Sequence, residues 1–104
     1  MEKVIRNGQV AVLYSPGFGA GWYSWNEKKE LLFHPKLVEM VENNKQEEIT
    51  EELCKELLNT NDYICVLGAE DLQIKWLDEG TAFIINEYDG SESIETLENL
   101  TLIA

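Results

Sequence analysis

The segment Ser15-Pro16-Gly17-Phe18-Gly19-Ala20-Gly21-Trp22 sets three glycines and a proline directly ahead of the rings of Trp22, Tyr23 and Trp25. Glycines leave backbone N–H groups unobstructed, and such a run can curl into a concave nest that binds phosphate or another anion. Aromatic faces stack on nucleobases, at ~1–3 kcal/mol per base. A small phosphate-bearing nucleotide could thus be gripped at both ends, by amides on the phosphate and by rings on the base. The single arginine, Arg6, lies on a strand whose hairpin partner leads into this loop, and a guanidinium suits bidentate phosphate contact. These features nominate Arg6, Ser15, Gly17, Phe18, Gly19, Ala20, Gly21, Trp22, Trp25 and Asn26 as candidate ligand-binding residues. The loop is not a Walker motif, because no Lys-Ser/Thr follows. It is not a dinucleotide fingerprint either, because Trp22 stands where the third glycine of G-x-G-x-x-G belongs. The competing account is packing: glycines that fit the backbone between buried rings, a tryptophan in the core and Arg6 as a solvated edge residue.

Other chemistry-bearing residues read as structural. His34 is the only histidine, which excludes a His-based metal cluster. Before Pro35 it suits the start of a helix better than the role of a base. Cys54 and Cys65 read as reduced, small, apolar residues rather than a disulfide framework. Glu87, Asp89 and Glu92 place carboxylates around Asp89-Gly90-Ser91, but without the register of a calcium loop. A turn at Asp89-Gly90, with Ser91 or Ser93 capping the next element, is the simpler reading, so no metal is expected. No cofactor is expected, and no base–nucleophile pair is visible, so the protein reads as a non-enzyme.

Several elements must position these residues. Val4-Ile5-Arg6 and Gln9–Tyr14 flank Asn7-Gly8, the strongest short hairpin signal. A helix beginning at Pro35 carries Leu37, Val38 and Val41 on one face and stops at Asn43-Asn44. A second begins at Thr50 as N-cap, with Glu51 and Glu52 at its positive end, a stripe of Leu53, Leu57 and Leu58, and a stop at Asn59-Thr60-Asn61. Tyr63–Leu67, Leu72–Leu77 and Ala82–Tyr88 read as a β-meander, with a last strand near Leu100–Ile103. The expectation is one α+β domain spanning residues 1–104, an antiparallel, barrel-like sheet with two consecutive helices inserted.

Composition bounds the function. The 104 residues are 44% hydrophobic, enough for a core and too many for a disordered acidic tail. No apolar run approaches the ~20 residues of a membrane span, and Met1–Arg6 lacks the apolar stretch of a signal peptide. A cytoplasmic protein without a membrane partner is expected. The net charge of −12 is uneven. Residues 1–45 carry six basic side chains against five acids, whereas residues 46–104 carry two against fifteen. Direct nucleic-acid binding through a basic patch is therefore disfavoured. An acidic face can instead imitate a phosphate backbone and dock on a basic protein, or simply keep the chain soluble.

The stretch Leu13–Asn26, the run Leu32-Phe33-His34-Pro35 and the segment Glu87-Tyr88-Asp89-Gly90-Ser91-Glu92-Ser93-Ile94 together resemble the signature of a family of small tailed-phage proteins, over nearly the whole chain. The resemblance implies a shared fold and length and transfers no residue role. Small early phage proteins of this kind resemble anti-defence factors. Some sequester the nucleotide signals of bacterial immunity, as oligomers with pockets between subunits; others inhibit nucleases by acidic mimicry. The resemblance supports two expectations. The first is a homo-oligomeric sponge that binds a small anionic nucleotide in the Gly17–Gly21 loop without turnover. The second is an acidic, nucleic-acid-mimicking inhibitor of a basic host nuclease or defence effector.

Overall fold

The computed structural model describes residues 1–96 and is α+β. Strands β1 (Ile5–Arg6) and β2 (Gln9–Tyr14) form the expected hairpin. Asn7 and Gly8 both take positive φ, 52° and 77°, the type I′ geometry whose twist matches the strands it joins. β3 (Gln73–Asp78) runs antiparallel on the other side of β2, with Ala11 opposite Trp76 and Leu13 opposite Ile74. β2 is the central strand, and its period-two alternation feeds two cores. Ala11 and Leu13 enter a larger cluster with Trp22, Leu31, Leu37, Val38, Cys54 and Leu72. Val10 and Val12 enter a smaller one with Leu32, Phe33, Leu77 and Ile94.

Four helices follow β2. α1 (Tyr23–Asn26) and α2 (Glu30–Phe33) are single turns, where the sequence suggests irregular chain after Trp22. α3 (Pro35–Glu42) begins at Pro35 as expected, and His34 caps it by accepting from the Lys36 amide at Nδ1, 3.1 Å. Proline at the first helical position loses nothing, since its missing N–H would have no helical partner. α4 (Glu51–Leu58) is capped by Thr50, whose hydroxyl accepts from the Leu53 amide at 3.1 Å, and closed by Asn59 in the left-handed region. A short 3-10 turn at Gln46–Glu48 precedes α4 and another, Ala69–Asp71, precedes β3.

The meander is corrected. Residues 63–67 form no strand. There the side-chain carboxamide of Asn26 takes the place of a neighbouring strand, donating to the Cys65 carbonyl at 3.0 Å and accepting from the Cys65 amide at 2.8 Å. β3 pairs with β2, while β4 (Phe83–Tyr88) pairs, among the described residues, only with β5 (Ser91–Thr96), a strand that the sequence pattern does not announce. The two sheets are not closed into a barrel. The expected strand near residues 100–103 lies outside the described residues.

Candidate functional site

The glycine loop leaves β2 at Ser15 and is met by the β4–β5 turn, so residues 15–24 and 87–92 are partners in space. Backbone bonds join them: the Glu92 amide donates to the Ser15 carbonyl at 2.8 Å, and the Gly19 amide to the Asp89 carbonyl at 2.7 Å. The Ser91 hydroxyl donates to the Pro16 carbonyl at 2.6 Å. Asp89 and Gly90 take φ of 50° and 85°, again a type I′ turn. Gly90 is buried against the loop, where a Cβ would stand 2.3 Å from the Ala20 nitrogen. Gly68 is similarly pressed on the carbonyls of Ala20 and Gly21, and its own carbonyl accepts from the Ser15 hydroxyl at 2.8 Å.

At the centre lies Glu92, 2% exposed. Its Oε1 accepts from the Ser15 amide at 2.9 Å. Its Oε2 accepts from the amides of Trp22 and Ser24, each at 2.9 Å, and from the Ser24 hydroxyl at 2.6 Å. No ion pair reaches it among the described residues. Burying a carboxylate is costly without partners; here four donors converge on it, and hydrogen bonds to an ionised acceptor are the stronger kind. Amides that flank the glycine run gather around an anion, and none of them belongs to Gly17, Gly19 or Gly21. The anion belongs to the chain itself.

The candidate residues separate accordingly. Trp22 is fully buried and donates its indole N–H to the Leu31 carbonyl at 2.8 Å, so neither ring face is open to a base. Ser15 is fully buried, its hydroxyl committed to Gly68 and its amide to Glu92. Asn26 holds the Trp22 carbonyl and the Cys65 backbone. Gly17 packs on Asp71, Ala20 is buried, and Gly21 packs on Ser24 and Trp25. Gly19, with φ of 100°, has open space where a side chain would be. Only Phe18, 73% exposed, and Trp25, 45% exposed, present rings to solvent.

Arg6 is not brought to the loop. It faces Gln9 at the opposite end of β2 from Ser15, about 20 Å away at ~3.4 Å per strand residue. Its guanidinium makes a bidentate pair with Glu42 and lies 5.4 Å from the Trp76 ring. Glu42 in turn holds the Arg6 pKa above its ordinary value, while the Arg6 hydrogen bond holds the Glu42 carboxyl below its own.

Glu87, Asp89 and Glu92 do not converge on one point. Glu87 accepts from the Gly90 amide at 2.7 Å and from the Trp25 indole at 3.3 Å, while Glu92 is consumed by the loop. Among the described residues no group of three or more His, Cys, Asp or Glu is placed to hold a metal. Both cysteines are free, and burial pushes the Cys54 thiol up to about 11. Among the described residues no helix is long and apolar enough to cross a membrane.

Glu92 is the residue that sequence reasoning leaves without a role of its own, as part of a turn region; its partners, the amides of Ser15, Trp22 and Ser24, carry no local signal that would have found it. No family model, curated protein or solved structure matches this chain.

Proposed function

We infer that this protein is a non-catalytic binding module that docks, through an acidic and aromatic end, on a basic protein surface that otherwise holds nucleic acid. The observation that carries this reading is the state of the glycine loop. The amides of Ser15, Trp22 and Ser24 that converge beside it are filled by Glu92, so a nucleotide phosphate at that point would have to displace a buried carboxylate. The segments packed around that loop instead hold large apolar side chains in water. Phe18 is 73% exposed, Leu67 72% and Tyr88 79%, with Trp25 beside Glu87. Exposed acids occupy the same segments: Glu70, Asp71, Glu87 and Asp89.

Aromatic anchors on a rigid support, with charge around them, are the pattern of interaction hot spots. The acidic charge would steer a basic partner and exclude nucleic acid from it. With the tailed-phage resemblance, a host nuclease or defence effector is the partner class that fits.

The test is displacement of a labelled DNA duplex from a panel of basic nucleases, followed by fluorescence anisotropy across a salt series. Displacement that weakens with salt, and that falls about tenfold or more on replacing Asp71 and Asp89 by Lys, is the expected result. No displacement from any member, together with a thermal shift produced by an intact nucleotide, would return the assignment to a nucleotide sponge.

A further inference from the structure

A second region also concerns anions, with the opposite arrangement. The N-terminal segment, α2 and β4 enclose an open groove of about 670 Å³, within the ~300–1,000 Å³ range of small-ligand sites. Its apolar surface includes Leu32, Phe33, Phe83 and Ile85. Phe33 and Phe83 meet edge to face, with centroids 6.3 Å apart and planes at 83°. The charged groups lining it are Lys3 and Lys29. The Lys3 ammonium is held 4.6 Å from the centroid of the Phe33 ring, by the attraction between a cation and a π-face.

One fact sets this groove apart from the other hollows of the surface: among the described residues no Asp or Glu lines it, whereas acids line each of the others. Lys3 and Lys29, like Lys45 and Lys75, have no ion-pair partner among the described residues. At ~0.15 M salt the Debye length is about 8 Å, so acids farther away than that are largely screened, while Glu2 and Glu30 lie next to the two lysines in sequence and line the adjoining hollow. Apart from the two ammonium groups and the phenol of Tyr23, the lining side chains are apolar. The occupant they suit has a plain apolar body and one anionic end.

We propose that this groove binds a small anionic amphiphile, an alkyl or acyl chain ending in a carboxylate, with the chain on Phe33, Phe83 and Ile85 and the anion at Lys3 and Lys29. The site is separate from the acidic end of the molecule, so its failure and that of the docking function are distinguishable by variants that touch only one of them.

The experiment is isothermal titration of the full chain with dodecanoate below its micelle concentration, against dodecyltrimethylammonium and adenosine monophosphate. Saturable binding of dodecanoate is expected, at least about tenfold tighter than either comparison ligand. The double variant Lys3→Glu, Lys29→Glu should lose that preference for the anion at an unchanged thermal midpoint, since both side chains are exposed. Phe83→Leu should weaken the chain contact while keeping the preference for an anion. Equal binding of the anionic and cationic chains overturns the proposal, as does undiminished dodecanoate binding in the double lysine variant. Tighter binding of adenosine monophosphate, or no saturable binding at all, overturns it equally.

Discussion

The loop around Glu92 and the groove beside Phe33 solve the same electrostatic problem from opposite sides. In the loop, backbone amides from Ser15, Trp22 and Ser24 converge, and the chain supplies the anion from β5. In the groove, two ammonium groups face an apolar hollow, and no described residue supplies a counter-charge. The first arrangement is closed and contributes to folding. The second is open and leaves its electrostatics for a ligand. An anion-binding pattern in sequence therefore identifies a place where negative charge is stabilised, and it says nothing about whether that charge comes from outside.

The comparison is broken most directly at Glu92. Glu92→Gln keeps the shape but turns an amide NH₂ toward groups that themselves donate, leaving buried donors unpaired at ~1–3 kcal/mol each. The expected loss is about 3–5 kcal/mol, or roughly 15 °C or more in thermal midpoint for a domain this size, measured by calorimetry. A midpoint within a degree or so of the parent would mean the carboxylate does not hold the loop.

Gly90→Ala comes next. It combines a positive φ with a Cβ forced against the Ala20 backbone, so about 2–3 kcal/mol of destabilisation is expected in urea unfolding. Gly8→Ala, also at positive φ but with open space around it, separates strain from clash and should cost less. Ser24→Ala removes one of the four bonds to Glu92 and should cost about 1–2 kcal/mol, with the anion still held by three amides.

The smallest effect concerns a pair that resembles a site only in composition. Arg6 and Glu42 are exposed, and exposed pairs contribute little. Because the Arg6 hydrogen bond lowers the Glu42 pKa, their contribution is present above the ordinary carboxylate range and is lost as pH falls through the lowered value. The difference in thermal midpoint between the parent and Arg6→Ala should be slight near neutrality, shrink further with acid and fade with salt. A large, salt-independent difference would assign Arg6 a packing role against Trp76 instead.

The exposed rings sharpen the other side of the comparison. Replacing Tyr88 by Ser should leave the thermal midpoint nearly unchanged, since the side chain is 79% exposed, while weakening displacement of DNA from a basic partner. A fall in both would mean that Tyr88 supports the hairpin rather than an interface.

The local features of this chain are legible residue by residue. His34-Pro35 and Thr50 mark the two longer helices, and Asn7-Gly8 and Asp89-Gly90 mark the turns. Each of these depends on bonds or dihedral angles spanning only a few residues. The sheet pairing is not legible in that way. β3 and β4 follow each other in sequence yet pair with different strands, and residues 63–67 have the composition of a strand but find a side chain as their neighbour. Arg6 is a different case: the two-residue turn at Asn7-Gly8 fixes it opposite Gln9, so its distance from Ser15 was already implied by the hairpin.

The amino-acid sequence marked residues 15–24 as a place for an anion by its glycines, although the amides that bind it are those of Ser15, Trp22 and Ser24. Only the tertiary structure decided that the anion is Glu92, which lies 77 residues from Ser15 in the chain and is delivered by a two-residue turn whose Gly90 alone permits the close approach. Likewise Trp22, Phe33 and Phe83 are all hydrophobic rings in sequence, and all are candidates for burial. Packing put the first wholly in the core and left the other two beside Lys3 at the edge of an open groove. The physical reason is common to both cases: local chemistry sets what a residue can bind, and long-range burial sets whether the chain or the solvent side reaches it first.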